Sequence, residues 1–126
     1  MSHVIVTAAL RVHSALGPGL LESAYEACLV HELRKAGLRV SSQVGLPLQY
    51  DGMQLDVGYR LDLLVEGLVI VEIKAGEAIT SIHHAQVLSY MKLSGKSLGL
   101  IINFNVLHLR EGIKRMVQGS SWRTLS

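Results

Sequence analysis

The sequence predicts an α/β fold in which helices cover a mixed β-sheet. Two segments with helical spacing come first, several segments with a period of two follow, and a further helical segment precedes a near-continuous apolar run. Runs of strands flanked by helices pack as layers around a sheet. An apolar run without alternation is typical of a central strand that is buried on both faces.

Two amino-terminal helices are predicted over residues 4–16 and 20–36. Apolar residues recur at helical spacing in both, and Gly17-Pro18-Gly19 separates them. Glu22 lies in the first turn of the second helix, where a carboxylate favours the helix dipole. Gly37 is expected just past its last turn.

The strand segments begin at Leu38, where the period changes to two. Pro47 makes the piece that ends at Tyr50 an edge strand or a strand start, and Asp51-Gly52 is typical of a hairpin turn. A long strand is predicted over residues 55–65. Alternation places six residues of this strand on one face: Leu55, Val57, Tyr59, Leu61, Leu63 and Val65.

A second strand over residues 68–75 is predicted to pair with the long one. A helix over residues 78–93 follows, and Thr80 or Ser81 can cap its amino terminus. The near-continuous apolar run predicts a buried central strand over residues 98–104.

A short further strand is predicted over residues 106–109. The tail, residues 110–126, has no clear pattern and is expected to be partly disordered. The length of 126 residues favours one compact domain over residues 1–126.

The composition predicts a partner for this chain. Hydrophobic residues make up 49% of it and the mean hydropathy is +0.35, which is more apolar surface than a domain this small can bury. We therefore expect a homodimer or another partner protein. The single Cys28 forms no intrachain disulfide, which fits a reducing cytoplasm or any compartment without disulfide pressure. Neither a signal peptide nor an apolar run of about 20 residues is visible, so a cytoplasmic protein without membrane contact is expected.

The charge balance alone does not identify a nucleic-acid surface. The net charge is +2 at pH 7 and the isoelectric point is near 8.9. Basic residues cluster locally, for example at Arg34-Lys35 and at Lys114-Arg115. Such clusters either line a phosphate-binding groove or form an ordinary solvated surface.

The strongest chemical signal is the group Asp62, Glu72 and Lys74. Glu72 and Lys74 are two apart on one strand and share a face, and a hairpin can bring Asp62 beside Glu72. Two carboxylates suit Mg²⁺ or Mn²⁺, and a neighbouring lysine can stabilise developing negative charge. The alternative is a surface salt bridge. However, Glu72 and Lys74 interrupt an apolar run, and a buried charge requires a metal or a close ion partner.

Two helix faces carry weaker signals. Glu22 and Tyr25 are three residues apart and therefore share one helix face. The alternative is a structural role, with Glu22 as an N-terminal helix carboxylate and Tyr25 as a core tyrosine. His83, Gln86 and Tyr90 also share a face, which fits contacts to a phosphate or to a metal-bound water, or a structural role. One histidine of the His83–His84 pair is expected to contact phosphate or to cap its helix.

Taken together and in order, these motifs resemble those of the GxxExxY family, a branch of the PD-(D/E)XK nuclease superfamily. The resemblance covers roughly residues 4–119. The matching segments are Gly19–Glu22–Tyr25, Arg60 and Asp62, Val71–Ala75, His83–Tyr90 and Gly99–Phe104. It implies a restriction-endonuclease-like core in α-β-β-β-α-β order.

The resemblance also implies roles for individual residues. Metal ligands would be Asp62, Glu72 and Glu22, together with the backbone carbonyl of Ile73. Lys74 would position the attacking water and offset the negative charge of the transition state. Gln86 would be a further catalytic residue. Leu61 stands where the superfamily has a proline, which changes no ligand.

The function implied is hydrolysis of phosphodiester bonds with Mg²⁺ or Mn²⁺ as cofactor, in DNA rather than RNA. Substrate contacts are expected from Tyr25, Arg60, His83 and Tyr90. The alternative is a non-catalytic nucleic-acid-binding or regulatory subunit that keeps the nuclease fold. Metal binding through Asp62 and Glu72 discriminates the two.

Overall fold

The computed structural model describes residues 1–118 and has the predicted mixed sheet between helices. The helices are α1 (Ser2–Leu16), α2 (Glu22–Lys35) and α3 (Ser81–Ser94). The strands are β1 (Val40–Gly45), β2 (Leu48–Tyr50), β3 (Met53–Leu55), β4 (Arg60–Val65), β5 (Val69–Lys74), β6 (Leu98–Asn103) and β7 (Ile113–Val117).

The main sheet has five strands in the order β1-β4-β5-β6-β7, and β2 and β3 form a separate hairpin. Strands β5 and β6 are parallel, whereas the other neighbours in the main sheet are antiparallel. Helix α3 makes the crossover that a parallel pair needs. The succession α2-β1-β4-β5-α3-β6 is the predicted α-β-β-β-α-β order.

Helices cover both faces of this sheet. Residues of α1 and α2 pack with Leu63, Val71 and Leu100 on one face, and residues of α3 pack with Ile70 and Ile101 on the other. Because β5 and β6 contribute to both clusters, they are the buried centre of the molecule. The prediction of a central strand buried on both faces is confirmed for β6.

The predicted end signals at Gly37 and Thr80 are confirmed. Gly37 has φ +87° and donates its N–H to the Arg34 carbonyl, while the next N–H bonds the Leu33 carbonyl. This pair of bonds satisfies carbonyl groups at the end of α2. Thr80 is the N-cap of α3, and its N–H donates to Nδ1 of His83 at 3.1 Å.

The single long strand predicted over residues 55–65 is wrong. Strand β3 ends at Leu55 and β4 begins at Arg60. Between them, Gly58 takes φ +85° and its N–H donates to Oδ1 of Asp56 at 3.3 Å, which turns the chain. Val57 and Tyr59 are therefore exposed instead of continuing the buried face.

Alternation also fails between Leu61 and Leu63, which pack in different core clusters. The β1–β4 register is the same on both sides of Gln43, yet Gln43 and Asp62 do not pair. Gln43 has φ +52°, outside the extended region. The hydrogen-bonded ladder between β1 and β4 is therefore interrupted at this point, and Leu61 and Leu63 lie on either side of the interruption.

The predicted strand over residues 106–109 is also wrong. Leu109–Gly112 is a 3₁₀ helix, and the strand lies later, as β7, which pairs with β6. A Cβ on Gly112 would meet the Asn103 carbonyl oxygen at 2.3 Å, so this turn requires glycine. The rest of the expected disordered tail, residues 119–126, lies outside the described residues. Within residues 1–118, no helix is long and apolar enough to cross a membrane.

Candidate functional site

The site lies where β4 and β5 separate. Their ladder ends at the pair Leu63–Val71, and side chains replace it beyond that point. The Ile73 N–H donates to Oδ2 of Asp62 at 2.8 Å, and the Asp62 N–H donates to Oε1 of Glu72 at 3.3 Å. The prediction that a hairpin brings Asp62 beside Glu72 is confirmed.

Glu72 is a buried carboxyl group with only 4% of its surface exposed. Burial, the adjacent Asp62 charge and a hydrogen bond between the two carboxyls raise the pKa of Glu72 to about 9. Without a bound cation, Glu72 therefore holds a proton at neutral pH. A divalent ion in contact with both carboxylates would replace that proton, because it supplies the positive charge that the pair lacks.

Lys74 is half-buried and follows Glu72 on the same face of β5. Its charge lowers the pKa of Glu72, but this is the smallest of the influences on that group. Among residues 1–118, no lysine, arginine or histidine nitrogen lies within 4.0 Å of either carboxylate. The alternative of a surface salt bridge is therefore wrong for Asp62 and Glu72.

The donor set at this point fits a hard divalent cation. The N–H and C=O groups of one residue in a strand point to the same side, so the Ile73 carbonyl faces the side of Asp62. Two carboxylates and a backbone carbonyl are oxygen ligands that Mg²⁺ and Mn²⁺ prefer. Within the described part of the chain, no three His, Cys, Asp or Glu side chains lie close enough to form a complete protein cage. Mg²⁺ commonly keeps several waters and uses one or two carboxylates, which this pair supplies.

A groove of about 410 Å³ adjoins the pair, and Lys74 belongs to its lining together with Glu22 and His83. Glu22 is exposed at the first position of α2. Asp62 and Glu72 lie outside the lining, and Lys74 is the lining residue that shares a face of β5 with Glu72. The structure thus places Glu22 in the groove with Lys74, while the two carboxylates lie outside its lining.

The predicted face of α3 borders the same carboxylates. Gln86 Nε2 donates to the hydroxyl of Tyr90 at 3.1 Å, and the ring of Tyr90 packs against Tyr59 with centroids 6.0 Å apart. Burial raises the pKa of Tyr90, and the charges of Glu72 and Asp62 raise it further. Gln86 and Tyr90 therefore lie beside the site, Gln86 as an exposed residue and Tyr90 as a buried one.

Tyr25 does not have the predicted access to a substrate. It is fully buried and stacks on Phe104 with ring centroids 4.5 Å apart. Its hydroxyl donates to the Gly17 carbonyl at 2.6 Å and accepts from the Leu20 N–H at 3.1 Å. Tyr25 instead fixes the loop that leads to Glu22.

Arg60, another predicted substrate contact, is exposed at the start of β4. Its Nη1 lies 3.5 Å from the Gln43 carbonyl oxygen, a long hydrogen bond. The guanidinium therefore remains available to solvent two residues before Asp62.

The structure adds Glu26 and Gln43, which the sequence analysis did not assign to the site. Gln43 Nε2 donates to Oε1 of Glu26 at 2.8 Å. Burial raises the pKa of Glu26, and the charges of Asp62 and Glu22 raise it further, while the bond from Gln43 lowers it. The position of Glu26 one helical turn after Glu22 was the available signal.

Asn103 was also missed. It is 2% exposed, and its Nδ2 donates to the Glu77 carbonyl at 3.0 Å and weakly to the Gly76 carbonyl at 3.4 Å. These bonds hold the segment that lines the groove after Lys74. A lone amide at the end of an apolar run was its signal in the sequence.

Comparison with known proteins identifies the family. A family model described as the PD-(D/E)XK nuclease superfamily matches residues 1–116. The chain belongs to the PD-(D/E)XK nuclease superfamily. No curated protein and no solved structure matches it. The mixed sheet with flanking helices is consistent with the restriction-endonuclease-like fold of the PD-(D/E)XK superfamily, as predicted.

Membership of the PD-(D/E)XK superfamily suggests nuclease activity and implies a nucleic-acid substrate. Members of the superfamily generally use divalent metal ions. The acidic pair and the lysine at the end of β5 are the part of this chain that fits such chemistry.

Proposed function

We propose that this protein is a nuclease that hydrolyses phosphodiester bonds in DNA and requires Mg²⁺ or Mn²⁺. The observation that carries the proposal is the Asp62–Glu72 pair, in which Glu72 is buried and Asp62 is half-buried. Within residues 1–118, no Lys, Arg or His nitrogen lies within 4.0 Å of these carboxylates, and Lys74 follows Glu72 by two residues at the open end of β5. Nucleic acid as substrate follows from the superfamily, and DNA rather than RNA is our proposal from the resemblance.

In this mechanism, Asp62, Glu72 and the Ile73 carbonyl would hold the ion. When bound there, a divalent ion would polarise the scissile phosphate and lower the pKa of the attacking water. The Lys74 ammonium group stabilises the negative charge that builds on the phosphate oxygens. The groove that Lys74 lines leads the scissile phosphate to that group.

The remaining site residues receive supporting roles in the proposal. Glu22 contributes a further ligand from α2, and its place in the groove with Lys74 supports this. Gln86 bonds the attacking water or the phosphate. Arg60, His83 and Tyr90 contact the substrate around the carboxylate pair.

We also assign the chain to the GxxExxY branch of the superfamily. Gly19 takes φ +97°, and the Tyr25 hydroxyl bonds both ends of the loop that precedes Glu22. The glycine and the tyrosine of the motif thus position its glutamate at the start of α2. This arrangement gives each residue of the motif a physical role.

A cleavage assay tests the proposed function. Purified protein would be incubated with supercoiled plasmid, linear duplex, single-stranded DNA and RNA, in Mg²⁺, Mn²⁺ or EDTA. We expect metal-dependent cleavage of DNA in the wild type. Asp62→Ala, Glu72→Ala and Lys74→Ala should each abolish it, a loss of about 10³-fold or more.

Circular dichroism would show that each variant stays folded. Full activity in any one variant would remove that residue from the mechanism. No cleavage of any substrate by folded wild-type protein would reject the nuclease and favour the non-catalytic nucleic-acid-binding or regulatory subunit. Cleavage of RNA alone would correct the substrate.

We propose a second copy of this chain as the protein partner. The β2–β3 hairpin pairs Tyr50 with Met53 and Leu48 with Leu55, and Tyr50 is 67% exposed. An isolated two-stranded hairpin is marginally stable in water, so its apolar face gains from a partner surface. Light scattering at micromolar concentration should give the mass of a dimer, and Tyr50→Ser with Met53→Ser should give a monomer.

Leu107→Ser is the matched control, because Leu107 is an exposed apolar residue outside the hairpin. A monomeric wild type would reject self-association. A dimer that survives the double substitution would place the interface elsewhere.

A further inference from the structure

Strand β1 has an unusual residue opposite the carboxylate pair. Gln43 takes φ +52°, a backbone conformation that non-glycine residues rarely adopt. Residues on both sides of Gln43 pair with β4 in one register, while Gln43 itself does not pair with Asp62. Surrounding contacts must therefore hold this conformation.

The side chain of Gln43, an exposed residue, contacts helix α2. Its side-chain amide donates to Oε1 of Glu26 at 2.8 Å, and its backbone carbonyl accepts from Nη1 of Arg60 at 3.5 Å. Glu26 is only partly exposed. A neutral side chain at position 26 could make the same hydrogen bond. Glu26 instead adds a negative charge near Asp62 and Glu22, whose charges act on it. A cation bound nearby would offset the charge of Glu26.

We infer that Glu26 and Gln43 are positioning residues that hold β1 open opposite Asp62 and so fix the Asp62–Glu72 pair for a divalent cation. This inference rests on the proposed function, because it assumes that the pair binds the ion. Neither residue touches the ion or the substrate. They act through the backbone of β1 and its neighbour β4, as outer-shell partners commonly orient metal ligands.

The test is a Mn²⁺ titration of the full chain at fixed pH, with free Mn²⁺ followed by electron paramagnetic resonance. Four variants would be compared: Gln43→Ala, Gln43→Gly, Glu26→Ala and Glu26→Gln. We expect Gln43→Ala, Gln43→Gly and Glu26→Ala each to raise the Mn²⁺ Kd about 10-fold. The double variant Glu26→Ala/Gln43→Ala should bind no more weakly than either single one, because both remove the same bond.

Urea unfolding of the same proteins separates positioning from stability. Gln43→Gly relieves the positive φ, so it should be at least as stable as Gln43→Ala and still bind Mn²⁺ weakly. Glu26→Gln can accept the same hydrogen bond and should restore Mn²⁺ affinity to within about 3-fold of the wild type. Gln49→Ala is the matched control, because Gln49 bonds Gln54 in the hairpin, outside the site.

The outcomes are distinguishable. Wild-type affinity in Gln43→Gly and Glu26→Ala overturns the inference and leaves the proposed function intact. If Mn²⁺ affinity falls only in variants that also lose stability, both residues have a purely structural role, and the inference is overturned as well. A wild type that binds no Mn²⁺ overturns the proposed metal site and, with it, the inference.

Discussion

The two halves of β5 have opposite surroundings. Val69, Ile70 and Val71 pair with β4 on one side and with β6 on the other, and all are buried. From Glu72 to Lys74 the pairing with β6 continues, but the ladder to β4 is replaced by side-chain contacts of Asp62 and Glu72. A single strand thus provides a closed half that fixes the backbone and an open half that frees polar groups for chemistry. The cost of the open half is a carboxyl group buried without a cation.

The largest effect is expected from a charge in the closed half. Val71→Asp buries a carboxylate between Leu63 and Leu100, with which Val71 pairs, inside the hydrophobic cluster that covers this face of the sheet. The free energy of unfolding should fall by about 3–5 kcal/mol. Urea unfolding followed by circular dichroism measures it.

Leu68→Asp is the control, because Leu68 is exposed one residue before the strand, and its effect should be within about 0.5 kcal/mol. If Val71→Asp were as stable as the wild type, the closed half would not be the rigid part of the strand.

An effect of opposite sign, which grows with pH, is expected in the open half. The pKa of Glu72 is raised from 4.5 to about 9, so the metal-free folded protein holds a proton that the unfolded chain releases. The stability that the protonated Glu72 contributes is fully present below about pH 4.5 and is lost as the pH rises toward 9. Glu72→Gln should remove this pH dependence and make the metal-free protein more stable than the wild type at pH 8–9.

Thermal unfolding in EDTA across this pH range tests the sign, with Glu77→Gln as control, since Glu77 is exposed five residues further on. In the wild type, Mn²⁺ should restore at high pH the stability that deprotonation removes, because metal ligation needs the carboxylate. A wild-type profile that matches that of Glu72→Gln would contradict the proposed charge state of the pair.

The smallest effect on stability is expected at Lys74. It is half-buried and forms no ion pair within the described residues, so Lys74→Gln should change the metal-free unfolding free energy by about 0.5 kcal/mol or less. Cleavage should nevertheless be lost, which separates its chemical role from a structural one. Lys92→Gln, an exposed lysine of α3, should leave both unchanged.

The sequence predicted those parts of the fold that local pattern controls. Helices α1 and α2, the caps at Gly37 and Thr80, and the apolar β6 all follow from periodicity and end signals. The errors lie where a local turn competes with periodicity. Asp56 and Gly58 form a turn inside an otherwise alternating segment, and β7 is a strand because β6 offers an edge, not because Ile113–Val117 alternates.

Only those parts of the site that follow from the direction of side chains along a strand could be predicted from the sequence. Alternation placed Glu72 and Lys74 on one face, and the hairpin brought Asp62 to Glu72. The helical spacing allowed a core role for Tyr25, and the substrate contact was expected from the resemblance; the structure places Tyr25 in the core. Glu26 and Gln43 were missed because a contact between a helix and the edge of a sheet has no periodicity in the sequence.

The bend at Gln43 also affects what can be added to the sheet. Strand β1 is an outer strand, and its free side would offer backbone groups to a strand of another molecule. A residue with φ +52° interrupts that row of groups, so a straight strand cannot continue along it. At the opposite edge, β7 carries the exposed charges of Lys114 and Arg115. Both edges thus discourage aggregation by strand addition, one through backbone shape and the other through charge.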